Sequence, residues 1–182
     1  NAWSRWQAYI GTDVGWSLDS ATGKLTIRSN AGMTGWINNR ASNKSKVKSV
    51  KIGDGVTGIG DNAFLECSSL TDIMIPESVT AIGVSAFAEC SSLTGVTIPE
   101  NVTSIGQEAF TSCSKLTRVE MLCEMPPGTR YPLFEGCPCI AAGKKGILVP
   151  VGKVETYATA EGWSRYTSHI TDGTPEITAQ PA

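Results

Sequence analysis

The stretch Ile75-Pro76-Glu77-Ser78-Val79-Thr80-Ala81-Ile82-Gly83-Val84-Ser85-Ala86-Phe87-Ala88-Glu89-Cys90 returns twenty-three positions later as Ile98-Pro99-Glu100-Asn101-Val102-Thr103-Ser104-Ile105-Gly106-Gln107-Glu108-Ala109-Phe110-Thr111-Ser112-Cys113. The same frame runs backwards to Ile52, Val56, Ile59-Gly60, Ala63-Phe64 and Cys67, with Gly53 where the later copies carry proline. Three segments, 47–69, 70–92 and 93–115, therefore align without gaps. A fourth copy, 116–146, starts at Leu116, Val119 and Met121, loosens, and regains its pattern at Phe134 and Cys137. Ile147-Leu148-Val149-Pro150 reads as the opening strand of a fifth. The interval from Val119 to Ile147 overruns the period by five positions. The expected place for the surplus is the loop Met125-Pro126-Pro127-Gly128, whose composition suits a turn.

A fixed period of this length is the signature of stacked units, each too small to bury its own apolar face. In every unit the alternation around Ile73-Met74-Ile75 puts the two isoleucines inside and Met74 outside on a short strand. Pro76 cannot donate to a ladder and ends that strand. Val79 and Ile82 enter the core from a second side, and Ala86 and Phe87 close the coil. The fold class is a mainly β repeat solenoid.

Composition narrows the function. An apolar fraction of 41% with 18% charged residues is that of a folded chain. No apolar run approaches the ~20 residues of a membrane span. Fifteen basic residues face 17 acidic ones, without the concentrated basic surface of a nucleic-acid binder. The one cluster, Lys44, Lys46, Lys48 and Lys51, reads as a solvated or edge-protecting face. The chain opens Asn1-Ala2-Trp3 with no Met and no signal-like segment, which suggests a mature or trimmed product.

The motif Ile-Pro-x-x-Val-Thr-x-Ile-Gly-x-x-Ala-Phe-x-x-Cys, whole at Ile75–Cys90 and Ile98–Cys113, resembles the BspA-like leucine-rich repeats of surface and secreted proteins. Trp16-Ser-Leu18 through Thr22-Gly23-Lys-Leu25-Thr-Ile27 is similar to the amino-terminal hairpin that precedes such arrays, and its alternation around a turn supports a hairpin independently. Val149-Pro150 through Gly162-Trp163 resembles the family's terminal helix, with Val154, Tyr157 and Ala158 forming an apolar stripe. The resemblance implies a right-handed coil of short parallel strands, an amino-terminal hairpin cap over 1–46, repeats over 47–150, a capping helix over 151–170 and a tail over 171–182. It also implies a cell-surface or secreted location, and says little about the ligand.

Chemistry is sparse. His169 is the only histidine and lies in a polar stretch, without the adjacent nucleophile and acid that a catalytic base needs. Cys67, Cys90, Cys113 and Cys137 share one repeat position, so they form a column of buried thiols whose parallel side chains miss the ~90° torsion of a disulfide. Cys123 and Cys139 stand outside that column and are the candidate disulfide. With no Cys-x-x-Cys and no histidine nearby, no metal and no cofactor are expected. Gly55-Val-Thr-Gly58-Ile-Gly60 lacks the Gly-Lys-Ser/Thr of a phosphate loop and is repeat geometry. Asn101-Val102-Thr103 fits a glycosylation acceptor and equally a turn. Trp3, Trp6, Trp16 and Trp36 read as the core of a cap.

The outward residues of successive strands form two columns on the concave surface of such a coil: Ser49, Asp72, Gly95 and Arg118, then Lys51, Met74, Thr97 and Glu120. These are the candidate binding surface, and the insertion of the irregular unit, with Arg130 and Tyr131, is a second candidate. The expected ligand is a protein or an extracellular-matrix component, with a glycan as the second class. The alternative is a structural spacer of a larger surface protein with no ligand of its own.

Overall fold

The computed structural model describes residues 15–129 and 131–174. Strands β1 (Trp16–Asp19) and β2 (Lys24–Ile27) form an antiparallel hairpin. Asp19 ties its turn by accepting from the backbone N–H groups of Ala21 and Thr22 at 2.9 and 3.3 Å. Beyond it the chain repeats one plan. A strand on one side of the coil, β3 (Ser49–Ile52), β5 (Asp72–Met74), β7 (Gly95–Ile98) or β9 (Arg118–Met121), is followed by a shorter segment on a second side. In the first three units that segment is a short strand: β4 (Gly58–Ile59), β6 (Ala81–Ile82) and β8 (Ser104–Ile105).

Every pairing between units is parallel. β2 pairs with β3 through Leu25↔Val50, and β3 with β5 through Val50↔Ile73; β7 pairs with β9 through Val96↔Val119. β10 (Ile147–Leu148) continues β9, and β11 (Ile170–Thr171) lies beside it. The second side is the three-stranded sheet β4-β6-β8. Short parallel strands with little helix are the secondary structure of a leucine-rich-repeat fold.

The repeated apolar positions are the core. Val50, Ile73, Val96 and Val119 are buried, as are Val56, Val79 and Val102 from the second side. The Phe column is a stack: Phe64–Phe87, Phe87–Phe110 and Phe110–Phe134 have centroids 5.2, 5.1 and 5.6 Å apart. Trp36 extends it at 6.4 Å from Phe64, and Trp16 meets Trp36 edge-on. At the far end Tyr166 and Trp163 close on Phe134. One aromatic spine thus runs through the molecule, each ring supplying the apolar face that the next one needs.

Three features differ from the sequence reading. First, the amino-terminal segment holds more than a hairpin: helix α1 (Asn30–Asn39) follows, N-capped by Ser29, which accepts from Gly32 N. It takes the place of a second-side strand, with Asn30 donating to Thr57 Oγ1 and accepting from Thr57 N. Trp36, from this helix, donates to Ala63 O at 2.7 Å. Of the tryptophans assigned to a cap core, Trp16 and Trp36 are buried; Trp3 and Trp6 lie outside the described residues.

Second, the surplus of the fourth unit is divided. The interval from Val119 to Phe134 is one position longer than that from Val96 to Phe110, so the segment holding Met125-Pro126-Pro127-Gly128 carries a single extra residue. The other four fall between Cys137 and Ile147, where the corresponding interval in the third unit runs only from Cys113 to Val119. The stack Phe110–Phe134 and the pair Val119↔Ile147 fix those two anchors. The proline loop is therefore a near-regular second side: Gly128 bridges Ser104, and Ile105 N donates to Gly128 O.

Third, the segment expected as one helix over 151–170 is a short helix α2 (Val154–Thr159), then a 3-10 turn Ser164–His169, then β11. Gly162 separates the first two in a left-handed conformation, φ +81°, where its backbone packs against Thr129.

Candidate functional site

The parallel register fixes the outward rows. Ser49 stands beside Asp72 and Lys51 beside Met74; Gly95 stands beside Arg118 and Thr97 beside Glu120. The hairpin adds Lys24 and Thr26 to the two columns, and β10 adds Leu148 beyond Glu120. The strand at Ile147–Leu148 was legible as the start of a fifth unit, whereas the hairpin's place in the columns was not, because it sits at another spacing. Lys51, Asp72, Thr97 and Arg118 are exposed, Ser49 and Glu120 half-buried, and Met74 is 75% exposed. Arg118 and Glu120 form an ion pair at 3.7 Å on this face. The face is a polar grid with one prominent apolar side chain.

Tyr131 does not join it. Gly128 pairs with Ser104 on the second side and Pro132 O accepts from Glu108 N, so this segment continues the short-strand side of the coil. Tyr131 is 52% exposed there. Arg130 lies outside the described residues.

That segment is also a docking platform for the end of the chain. Tyr157 OH donates to Cys123 O at 2.8 Å, and Trp163 Nε1 to Pro127 O at 2.8 Å. Tyr166 OH accepts from Leu133 N at 2.6 Å, and Lys153 pairs with Glu124 at 2.8 Å. A loop held by this many partners is a structural joint rather than a free recognition loop.

All six cysteines are free and buried. In the column three of the four S–H groups donate to the carbonyl of the Phe in the preceding unit, Cys90 to Phe64 and Cys113 to Phe87 at 3.1 Å, and Cys137 to Phe110 at 2.9 Å. Here a thiol is a small apolar group with one short donor, which suits the interior of a coil. The candidate pair Cys123–Cys139 is not formed. Cys123 donates instead to Pro99 O at 3.0 Å, and Cys139 hydrogen-bonds the Cys137 thiol. The reason is the redistribution of the extra residues, which places the two cysteines on different turns of the fourth unit. Burial pushes Cys67 up to about 12 and Cys123 up to about 11.

His169 is half-buried, and its Nδ1–H donates to Lys144 O at 2.9 Å. This pins the surplus loop of the fourth unit. Asn101 donates its amide to Glu77 O, a turn contact. Among the described residues no group of three or more His, Cys, Asp or Glu is placed to hold a metal ion, and no helix is long and apolar enough to cross a membrane.

The model of the BspA type leucine rich repeat region matches residues 35–140 in six copies. No curated protein matches the chain. Among solved structures, a leucine rich cell surface protein from Faecalibacterium prausnitzii A2-165 is 34% identical over 49% of this chain and 26% of its own, with a TM-score of 0.42. A leucine-rich repeat protein from Bacteroides ovatus is 27% identical over 70% of this chain and 30% of its own, TM-score 0.47. The T. pallidum leucine rich repeat protein is 22% identical over 66% of this chain and 61% of its own, TM-score 0.46. The chain thus spans between about a quarter and three-fifths of the length of these neighbours.

Proposed function

The chain belongs to the BspA-type leucine-rich-repeat family, and we propose on that footing that it is a non-enzymatic recognition domain of a cell-surface or secreted protein. In this reading residues 47–150 form the repeat solenoid. The segment 1–46, with its hairpin and helix α1, closes one end; 151–170, with α2 and the 3-10 turn, closes the other. The ligand is a protein or an extracellular-matrix component, held on the outward faces of the strands.

The observation that carries this reading is the register itself. Parallel pairing holds Lys51 beside Met74 and Thr97 beside Glu120 on a rigid frame, with strands ~4.8 Å apart. A preformed grid loses little conformational entropy on binding. Ser49, Lys51, Asp72, Met74, Thr97, Arg118 and Glu120 are the contact residues of this proposal, and Tyr131 belongs to a separate side. A screen of the purified domain against arrayed matrix proteins and glycans identifies the partner. Replacing Lys51, Met74, Arg118 and Glu120 together with alanine then weakens it by at least about tenfold, given that a few residues carry most interface energy. Unchanged affinity overturns the assignment to this face.

The spacer reading draws its support from the Arg118–Glu120 ion pair, which satisfies both charges within the face and leaves Met74 as its one large exposed apolar group. A screen without any ligand favours it.

A further inference from the structure

Outside the proposed contact residues, three lysines meet at the corner where the strands begin. Lys24 opens β2, and Lys46 and Lys48 lead into β3; all three are exposed. The backbone of Lys46 and the stem of Lys48 border the buried Gly23, the residue before Lys24. Lys48 N donates to Gly23 O at 2.9 Å, and a Cβ on Gly23 would lie 2.6 Å from Lys46 O and 2.8 Å from Lys48 Cγ. The aliphatic stem of Lys48 therefore lies across the glycine with its ammonium beyond, in water. Lys24 is one strand away, level with Ser49.

The repeat shows that the fold does not ask for these charges. At the position of Lys46 the next two units carry Ser69 and Ser92. At that of Lys48 they carry Thr71 and Thr94, and Thr71 Oγ1 donates to Lys48 O at 3.1 Å as part of a hydroxyl ladder. In register with Lys24 stand Ser49, Asp72 and Gly95 further along the array. The fourth unit carries Lys115 at the position of Lys46 and Arg118 in the column of Lys24, and Asp72 is an acid in that column, but only at this corner are all three positions lysine, in a chain whose net charge is -2. Nearby acids offset this in part. Asp19 lies across from Lys24, its Oδ1 taken by the turn amides, and Asp72 lies beside Ser49. Glu66 is taken by Lys44. Lys46 Nζ donates to the neutral amide oxygen of Asn43 at 3.3 Å, which leaves its charge unbalanced.

We infer that Lys24, Lys46 and Lys48 form a docking corner for an anionic polysaccharide. Among the described residues the exposed large apolar side chains, Met74, Val84, Leu122, Met125, Tyr131 and Val151, all lie elsewhere. A protein partner is usually anchored by buried aromatic or Arg groups, and single-stranded nucleic acid by aromatic stacking platforms. A patch in which lysines predominate, each a compact hydrated point charge, fits a flexible chain of sulfate or carboxylate groups. The inference does not rest on the outward-face proposal, since it uses different residues.

Heparin, a sulfated polysaccharide, is the probe. Its binding to the intact chain is measured at about 50 mM and about 150 mM salt, across which exposed charge contacts weaken. The variants are Lys24→Glu/Lys46→Glu/Lys48→Glu, the neutral Lys24→Gln/Lys46→Gln/Lys48→Gln, and a control of equal charge change, Lys115→Glu/Lys144→Glu/Arg165→Glu. The circular dichroism of each variant verifies its fold. The expected result is binding that falls with salt, drops at least about tenfold in both corner variants through the summed loss of three individually weak charge contacts, and changes less than about twofold in the control. Failure of the parent chain to bind heparin, equal loss in the control, or full affinity in the glutamine variant overturns the inference. Equal or tighter binding of polyglutamate or single-stranded DNA through the same lysines overturns the polysaccharide assignment.

Discussion

The rings of Phe87 and Phe110 stack with their centroids 5.1 Å apart and their planes inclined by only 6°. That pair is the centre of the spine from Trp16 to Tyr166, and it explains why one unit of the array folds only in company. Each Phe is covered on both faces by rings of adjacent units. Each adjacent Cys then donates back to a Phe carbonyl one unit earlier, so the ring column and the thiol column cross-brace successive coils.

Phe87→Ala should destabilise the protein by about 3–5 kcal/mol, as a large core aromatic does when its site cannot collapse. Denaturant unfolding measures it. Since the cavity opens between two units, the loss exceeds that of Tyr131→Ala, which is half exposed; equal losses would show that the column does not couple the units.

A glycine pair tests the close approach of coils on the second side. A Cβ on Gly106 would lie 2.5 Å from the backbone of Gly83 and Val84, whereas one on Gly128 meets nothing nearer than Thr103 O at 3.6 Å. Gly106→Ala should cost about 3 kcal/mol through forced backbone displacement. Gly128→Ala should stay within about 0.5 kcal/mol. The difference in midpoint of chemical denaturation decides it.

The carboxyl-terminal joint is tested at Tyr166, whose hydroxyl accepts from the buried Leu133 N–H at 2.6 Å. Tyr166→Phe leaves that donor unsatisfied and should cost about 1–3 kcal/mol. Hydrogen exchange should accelerate at Leu133 and Phe134 while Ile73 and Val96, in the array's centre, keep their protection. Uniform acceleration would mean that the joint and the array open as one unit.

The thiols predict both reactivity and an alkaline limit. At neutral pH an aromatic disulfide reagent should leave the native protein almost unlabelled, since all six thiols are buried, and should count six after denaturation in non-reducing conditions; a count of four would reveal a disulfide. Cys67 and Cys123 are raised from 9.0 to about 12 and about 11. Their contribution to stability is therefore intact below pH 9 and lost as pH climbs through those values, because the unfolded chain gives up these protons first. Stability should fall above pH 9, by up to ~1.4 kcal/mol per pH unit for each such group. Cys67→Ala should make that fall shallower.

Much of this was legible in the residues. The spacing from Ile75 to Ile98 fixes the period, the alternation at Ile73-Met74-Ile75 fixes which side chains turn inward, and the shared position of Cys67, Cys90, Cys113 and Cys137 marks a column. These follow because a repeated environment demands a repeated residue, and local alternation is read along the chain itself. The hairpin was visible for the same reason. Helix α1 was not, because its pattern is not strongly amphipathic and its place is set by what it covers, Thr57 and Ala63 of the next unit.

Where the irregular unit spends its surplus is a property of the folded coil alone. The interval from Val119 to Ile147 reveals that there is a surplus but not its places; the contacts of Phe134 with Phe110 and of Ile147 with Val119 assign one residue to the proline loop and four to the stretch after Cys137. That division separates Cys123 from Cys139 and turns the proline loop into the seat for Tyr157 and Trp163. Stacking of the hairpin on the first unit likewise brings Lys24 to Lys46 and Lys48, which are distant along the chain. Periodicity is a local property, written residue by residue. Closure of a loop or meeting of distant charges depends on which core contacts win, and those exist only once the coils are stacked.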